Sequence, residues 1–185
     1  EASLNRHVAN RLADGEVGGL FSGRFEWGPR ALGNRSIIAD PRRSDTRERV
    51  NRSVKFREPF RPFAPAVLAD QASTWFQLST TRPDFLTDHM LSVVPVTEAG
   101  RETLGAVTHV DGTARVQTVS ATSSPRLHGV LEAFHEETGV GVLLNTSMNL
   151  KGEPMCASPA DAYATFARSG LDFLVMERCL VERAA

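Results

Sequence analysis

The sequence contains little lysine and little cysteine, and it has no long apolar run. Lys55 and Lys151 are the only lysines among 21 basic residues, so arginine, whose planar fork suits phosphate and carboxylate, carries nearly all the positive charge. Cys156 and Cys179 lie far apart and outside any metal-ligand spacing, which argues against a disulfide framework or a zinc site. No segment approaches the roughly 18 apolar residues of a membrane-spanning helix. We therefore expect a cytoplasmic protein.

Three common catalytic motifs are also missing. The sequence has neither G-x-x-x-x-G-K-[ST] nor G-x-G-x-x-G, so it predicts no P-loop and no dinucleotide-binding fold. It has no G-x-S-x-G, which argues against an α/β-hydrolase. With 185 residues, 41% of them hydrophobic and 23% charged, the composition is that of one folded domain covering residues 1–185.

The charge is unevenly distributed along the chain. The formal net charge is only −1, which taken alone argues against a general nucleic-acid or membrane-surface binder. The segment from Arg24 to Arg61, however, holds eleven bases and five acids, a charge of +6 that leaves −7 for the remainder. This segment is where we expect an anion to bind.

The hydrophobic pattern predicts an α/β fold, a twisted mixed β-sheet with helices packed on it. Helices are predicted after an N-cap at Ser3, at 44–53, after a cap at Asp70, at 125–138 and from an N-cap at Ser158 to about residue 169; strands are predicted at 17–22, 66–69, 90–96, 140–144, 171–176 and 180–182.

A hairpin is predicted at residues 106–119, where two alternating runs flank the turn dipeptide Asp111-Gly112. Arg115 would then point back over the sheet towards a ligand. His109 and Asp111 share one side of the strand and are either an acid/base or metal pair or, with greater weight, structural residues, since a hairpin turn favours Asp-Gly in any case.

Two segments combine arginine with glycine or proline. The loop Glu26–Ser36 is either an anion site on which Arg30 and Arg35 converge or a simple Gly/Pro turn. In the segment 54–65, three prolines exclude a helix and favour an extended chain. Lys55, Arg57 and Arg61 then share one side and Phe56 and Phe60 the other, a basic ribbon for a polyanion; equally, the phenylalanines anchor a loop in the core.

Polar residues follow the predicted strand 140–144. The run Asn145-Thr146-Ser147-Met148-Asn149 comes at the carboxyl end of a buried strand, where α/β sheets bind ligands. Its amides and hydroxyls either orient a small polar substrate or a ribose, or close a turn.

Taken in order, these motifs, with Ala39-Asp40-Pro41-Arg42 and Gly152-Glu153-Pro154, resemble the C-terminal, YrdC-like domain of the carbamoyltransferase family that includes NodU, CmcH and the tobramycin enzyme. The resemblance covers nearly the whole chain. Met148 stands where the family often has Phe, a change of packing. The family pattern has a second, N-terminal actin-like domain with a metal site, and this chain resembles only the C-terminal one, so that domain is an expected partner.

The resemblance implies an enzyme module that takes ATP, with Mg²⁺, and carbamoyl phosphate to carbamoyl adenylate, while the actin-like domain transfers the carbamoyl group to a hydroxyl. It implies Lys55 and Arg61 as catalytic residues. The residues implied to bind ATP or carbamoyl phosphate are Arg30, Arg35, Lys55, Arg61, Arg115, Ser147 and Asn149. Fixed cations suit this chemistry, because nucleotidyl transfer depends on positioning and charge stabilisation.

Two other functions remain open from the sequence. YrdC-like folds resemble double-stranded-RNA binders, so the +6 segment is alternatively a phosphate-backbone track, although the acidic remainder counts against nucleic acid. A non-catalytic interaction domain ranks last, because every basic and polar residue of the motifs is present. The sequence does not indicate the hydroxyl acceptor.

Overall fold

The computed structural model describes residues 1–78 and 85–183. The helices are α1 (Ala2–Ala13), α2 (Thr46–Ser53), α3 (Ala72–Trp75), α4 (Phe85–Asp88), α5 (Glu98–Thr103), α6 (Pro125–Thr138) and α7 (Pro159–Arg168). The strands are β1 (Val17–Phe21), β2 (Arg35–Ala39), β3 (Ala64–Leu68), β4 (Val93–Pro95), β5 (Thr113–Arg115), β6 (Gln117–Val119), β7 (Val142–Ser147), β8 (Phe173–Met176) and β9 (Cys179–Glu182).

A mixed seven-stranded sheet forms the middle layer, in the order β6-β3-β7-β2-β1-β8-β9, and β4 and β5 form a separate antiparallel pair. β7 lies between β2 and β3 and is antiparallel to both, with Thr146 opposite Ile37 and Leu144 opposite Pro65. One face of the sheet packs through Leu20 and Leu143 against α1 and α6. The other face packs against α2, α7 and the small sheet. Both faces of the central strands are therefore buried.

Local sequence signals account for most helix ends. At α7, the Ser158 hydroxyl accepts a hydrogen bond from the Asp161 backbone N–H while the Asp161 carboxylate accepts one from Ser158, a complete capping box. At α6, Gly139 has φ +74 and ends the helix in the left-handed conformation. The predictions of these helices, of α2 and of β1, β8 and β9 are confirmed.

The predicted hairpin at 106–119 is wrong. Ala106 and Val107 are buried in a turn that follows α5, and the N–H of Ala106 bonds to the carbonyl of Pro41. The Asp111-Gly112 turn does form, but β5 pairs with β4 and β6 pairs in parallel with β3. Residues 106–112 form no strand, and the second alternating run is divided between β5 and β6, each of which pairs with a strand earlier in the chain.

Two central strands differ from the prediction: β2 is an additional strand, and β7 ends later than expected. β2 was assigned to no element, because its apolar run Ile37-Ile38-Ala39 is short and follows a loop of glycine and arginine. β7 continues to Ser147, so Asn145 and Ser147 lie within the strand. Two helix starts also differ from the prediction. The N-cap of α1 is Glu1 instead of Ser3, and the N-cap of α3 is Gln71 instead of Asp70.

Two further observations concern the cysteines and the membrane. Cys156, which is buried, and Cys179, which is exposed, are both free thiols. Among residues 1–78 and 85–183, no helix combines the length and the apolar character needed to cross a bilayer.

Candidate functional site

Two adjoining cavities lie at the carboxyl end of β7. The first, the arginine cavity, has a volume of about 140 Å³ and is lined chiefly by Pro29, Arg30, Ala31, Arg57, Phe63, Met90, Arg115, Asn145, Thr146 and Ser147. The second, the lysine cavity, has a volume of about 240 Å³ and is lined by Lys55, Arg57, Glu58, Arg61, Ser147, Asn149, Leu150, Lys151 and Gly152. Because Arg57 and Ser147 line both, the two cavities form one site.

The loop over the arginine cavity is held by one carboxylate. Oε1 of the buried Glu26 accepts hydrogen bonds from the backbone N–H groups of Leu32 at 3.0 Å, Asn34 at 2.7 Å and Arg35 at 3.0 Å. Gly33, at φ +119, lets the loop approach α6, because a Cβ there would lie 2.3 Å from Oγ of Ser124. The loop is thus a built structure that fixes the position of Arg30.

Arg35 is buried beneath this loop and bonds to its backbone. Nε donates to the Cys156 carbonyl at 3.1 Å, and the terminal nitrogens donate to the carbonyls of Ser22, Gly23 and Asn34. The guanidinium carbon lies 3.7 Å from the centre of the Phe21 ring. These contacts make Arg35 an anchor of the loop. The phosphate contact predicted for it stays a prediction, and Arg35 does not line either cavity.

Arg30 and Arg115 both line the arginine cavity. The Nε atoms of both are buried and have no hydrogen-bond partner among the described residues. Burial first, and the charge of Arg30 second, lower the pKa of Arg115. Two neighbouring cations with buried N–H groups that bond to nothing in the described chain form an anion-binding arrangement.

Asn145 and Gln117 support the same cavity through a chain of amides. Nδ2 of Asn145 donates to the Ala31 carbonyl at 3.1 Å and to Oε1 of Gln117 at 2.7 Å, while Nε2 of Gln117 donates to the Leu32 carbonyl at 2.9 Å. Oδ1 of Asn145 is buried and accepts no hydrogen bond from the described residues. The amide pair ties β6 and β7 to the Glu26–Ser36 loop.

Lys55 is only 7% exposed and points at oxygen atoms of the turn after β7. Its Nζ lies 2.6 Å from the Ser147 carbonyl, 2.7 Å from Oδ1 of Asn149 and 3.1 Å from Oγ of Ser147. Its hydrogen-bond acceptors among the described residues are all neutral oxygens of Ser147 and Asn149. Burial, and then the charge of Arg57, lower the pKa of Lys55 to about 7.

The segment 54–65 brings Lys55, Arg57 and Arg61 to one cavity, as predicted, but the predicted extended conformation is wrong. Phe56 has φ +48, and the N–H of Arg61 bonds to the Glu58 carbonyl, so the chain turns twice between Lys55 and Arg61. Phe56 and Phe60 are exposed and do not anchor the segment in the core, whereas Phe63 is buried.

Arg57 is turned inwards between the two cavities. Its Nε donates to Oδ1 of Asn51 at 2.6 Å, and its guanidinium carbon lies 4.7 Å from the centre of the Phe63 ring. Burial, and then the charge of Arg61, lower the pKa of Arg57. Arg61 itself is exposed and pairs with Glu58 at 3.0 Å.

Ser147 and Asn149 form the common wall of the site. The Ser147 hydroxyl donates to Oδ1 of Asn149 at 2.7 Å, and Nδ2 of Asn149 donates to the Glu153 carbonyl at 2.7 Å. Oδ1 of Asn149 therefore accepts from both Ser147 and Lys55. The structure brings Lys55, Arg61, Ser147 and Asn149 to the lysine cavity and Arg30 and Arg115 to the arginine cavity.

His109 and Asp111 serve the turn before β5. The Asp111 carboxylate accepts hydrogen bonds from the N–H and the hydroxyl of Thr113, and His109 Nδ1 lies 3.2 Å from that hydroxyl. Burial lowers the pKa of His109; the charge of Asp111 opposes this effect and that of Arg115 adds to it. The arrangement supports the structural interpretation of the pair. Within the described ranges, no group of three or more His, Cys, Asp or Glu side chains is placed to hold a metal ion.

Three residues of the site lie outside the set of binding residues that the family resemblance implied. Arg57 belonged to the predicted ribbon, and its two-residue spacing from Lys55 was the available signal. Asn145 lay in the predicted polar run but was placed beyond the strand. Gln117 gave no signal, because its role depends on the pairing of β6 with β3.

The sequence of the chain matches one protein family and several known relatives. The family model described as "Carbamoyltransferase C-terminus" matches residues 9–183. The chain is 51% identical over 95% of its length to nodulation protein NolNO of Sinorhizobium fredii. It is 44% identical over 79% of its length to the 3′-hydroxymethylcephem-O-carbamoyltransferase of Streptomyces clavuligerus. In each case the match spans 26% of the relative, so the chain covers about a quarter of these proteins.

Among solved structures, full-length HypF in its phosphate- and nucleotide-bound form matches 97% of this chain and 21% of its own, with 16% identity and a TM-score of 0.63. This likeness concerns the fold and, with similar matches to Sua5 and YciO, confirms the predicted YrdC-like α/β architecture. The family match and the sequence identities together show that the chain belongs to the carbamoyltransferase family, as its C-terminal domain.

Proposed function

We propose that the chain binds ATP and carbamoyl phosphate and forms carbamoyl adenylate for O-carbamoylation of a small-molecule hydroxyl. The observation that carries the proposal is the pair of adjoining cavities lined by Arg30, Arg115, Arg57 and Lys55. Relatives of the same family include a named O-carbamoyltransferase, which supports the reaction class. Transfer of the carbamoyl group to its acceptor is assigned to a second, actin-like domain of the family pattern.

The chemistry consists of two steps. Water converts carbamoyl phosphate to carbamate and phosphate, and a carbamate oxygen then attacks the α-phosphorus of ATP as pyrophosphate leaves. The second step brings two anions together, and unscreened negative charges a few ångströms apart repel by several kcal/mol at an effective dielectric near 20, about 4 kcal/mol at 4 Å. A wall of fixed cations offsets this repulsion and holds the reactants in line.

The cavities differ in the anion that they suit. The arginine cavity, at about 140 Å³, suits a small anion, whereas the more exposed lysine cavity suits the polyphosphate of a nucleotide. Arg57, which lines both, is placed to contact the phosphate groups on either side. Arg61, at the exposed edge, must leave Glu58 to reach a ligand, and the predicted catalytic roles of Lys55 and Arg61 remain part of the proposal.

Magnesium enters this scheme as part of the nucleotide substrate. In this scheme the phosphates of ATP supply the oxygen ligands that Mg²⁺ prefers.

The test is release of pyrophosphate from ATP by the purified chain, with and without carbamoyl phosphate. We expect release that depends on carbamoyl phosphate in the wild type and is abolished in Lys55→Ala and Arg61→Ala. Arg43→Ala, which removes an exposed arginine that pairs with Asp45 and lines neither cavity, is the matched control and keeps full activity. Unchanged release in both site variants contradicts their assignment, and salt-sensitive RNA binding without competition from ATP favours the alternative function.

A further inference from the structure

The buried side-chain amide of Asn145 has a fully hydrogen-bonded nitrogen and an oxygen without a partner among the described residues. Both hydrogens of Nδ2 are engaged, one by the Ala31 carbonyl and one by Oε1 of Gln117. Both partners are acceptors, so they fix which end of the amide is nitrogen. Oδ1, in a residue that is 1% exposed, has no donor among the described residues.

The rest of the arginine cavity has the opposite hydrogen-bonding character. Arg30 and Arg115 line it as cationic donors, and their buried Nε–H groups likewise bond to nothing in the described chain. A single cavity wall thus carries unpaired donors that suit anionic oxygens and an unpaired acceptor that suits an N–H group. Buried polar groups without partners in the chain are uncommon, and their clustering in one cavity is typical of a ligand site.

Building on the proposed function, we propose that Asn145 is a specificity residue whose Oδ1 accepts a hydrogen bond from the amide N–H of the carbamoyl group. The arginines would hold the anionic end of the same ligand. Acetyl phosphate has the same shape with a methyl group in place of the amide, and it would leave Oδ1 buried and unpaired. A site that hydrogen-bonds a substrate N–H rejects an analogue without that group far more strongly than an apolar site does.

Gln117 provides a matched control for this role. Gln117→Ala removes one partner of Nδ2 and the bond to the Leu32 carbonyl, but it leaves Oδ1 of Asn145 in place. It therefore loosens the same wall of the cavity without removing the acceptor. Asn145→Ala removes the acceptor, and Asn145→Val, whose β-branched apolar side chain suits a central strand and carries no acceptor, is the second variant should the first not fold.

The experiment measures the dissociation constants of carbamoyl phosphate and acetyl phosphate for each variant by calorimetric titration. We expect the wild type to prefer carbamoyl phosphate at least roughly tenfold, and the Asn145 variants to lose most of that preference. Gln117→Ala should weaken both ligands by similar factors and keep their ratio.

Equal weakening of both ligands in the Asn145 variants, or a wild type without preference, overturns the specificity role. Either result leaves the proposed function standing as long as the wild type still releases pyrophosphate in response to carbamoyl phosphate. Failure of the wild type to bind either acyl phosphate, together with no pyrophosphate release, overturns the proposed function itself.

Discussion

Lys55 and Asn149 meet at 2.7 Å, an ammonium nitrogen against a neutral amide oxygen, in a part of the molecule where Lys55 is almost fully buried. A buried lysine normally pairs with a carboxylate. Here the carbonyl and hydroxyl oxygens of Ser147 complete its surroundings. The ammonium is thus solvated by dipoles, and its charge is available to an anionic ligand.

This environment predicts that the stability of the protein depends on pH through Lys55. Its pKa is about 7 in the folded chain and about 10.4 when unfolded, so between these values the unfolded chain binds more protons. The contribution of Lys55 to the free energy of unfolding should therefore rise with pH from 7 to 10. Urea unfolding of the wild type and Lys55→Met at pH 6, 7.5 and 9 measures it. A difference between the two proteins that stays constant with pH contradicts the prediction.

The arginine cavity predicts a loss of anion affinity without loss of fold. Arg30→Gln and Arg115→Gln each remove one of the two positive charges that line the arginine cavity and repel each other. Each should weaken inorganic phosphate roughly tenfold, the equivalent of about 1.4 kcal/mol, while the melting temperature stays the same or rises. Calorimetric titration checks the affinity. Arg168→Gln, which disrupts an exposed pair with Glu153, is the control and should bind phosphate normally.

Glu26 predicts a local effect on the loop. Glu26→Ala removes the acceptor of three backbone N–H groups and should destabilise the chain by about 1–3 kcal/mol, because buried donors are left unsatisfied. Glu26→Gln keeps an amide oxygen at that place and should cost less. Hydrogen exchange at the amides of Leu32, Asn34 and Arg35 should quicken in Glu26→Ala, and unchanged exchange there would rule out the role given to the carboxylate.

Gly28 and Gly33 separate backbone strain from steric contact within the same loop. Both have positive φ, +100 and +119, but a Cβ at Gly28 meets no atom within 4 Å whereas one at Gly33 meets Ser124 and Leu127. Gly28→Ala should cost about 1–2 kcal/mol from strain alone. Gly33→Ala should cost about 1–3 kcal/mol more, since the contact with α6 is overpacked. Chemical unfolding of both variants measures the difference, and equal losses would show that the contact with α6 carries no cost.

Parts of the fold with local signals could be predicted from the sequence, and parts that depend on distant pairing could not. Gly139 and the Ser158-Pro159 cap mark helix ends through nearest neighbours, so α6 and α7 were predicted correctly. Residues 106–119 alternate as a hairpin does, yet 106–112 form no strand, and β5 and β6 pair with β4 and β3. An alternating sequence of apolar and polar residues indicates a strand with one buried face, but it does not identify the strand with which it pairs.

The site shows the same division. Arg30, Lys55 and Ser147 carry charge or hydrogen-bonding groups within recognisable motifs, and the structure places all three on the cavity walls. Arg35 carries the same charge but faces backbone carbonyls, which no spacing in the sequence reveals. Gln117 joins the site only because β6 lies beside β3, so its part could not be read from residue type.

The hydrogen bond between Lys55 and Ser147 joins residues that are 92 positions apart in the chain. Ser147 ends the central strand β7, which pairs with β2 along one edge and with β3 along the other. Closing such a long loop is slow and entropically costly, so the two walls of the site come together only when the core has largely folded. A ligand that touches both walls binds the native chain alone, and at a hundred times its dissociation constant it adds about 2.7 kcal/mol to stability. Anion binding and completion of folding are therefore thermodynamically linked in this domain.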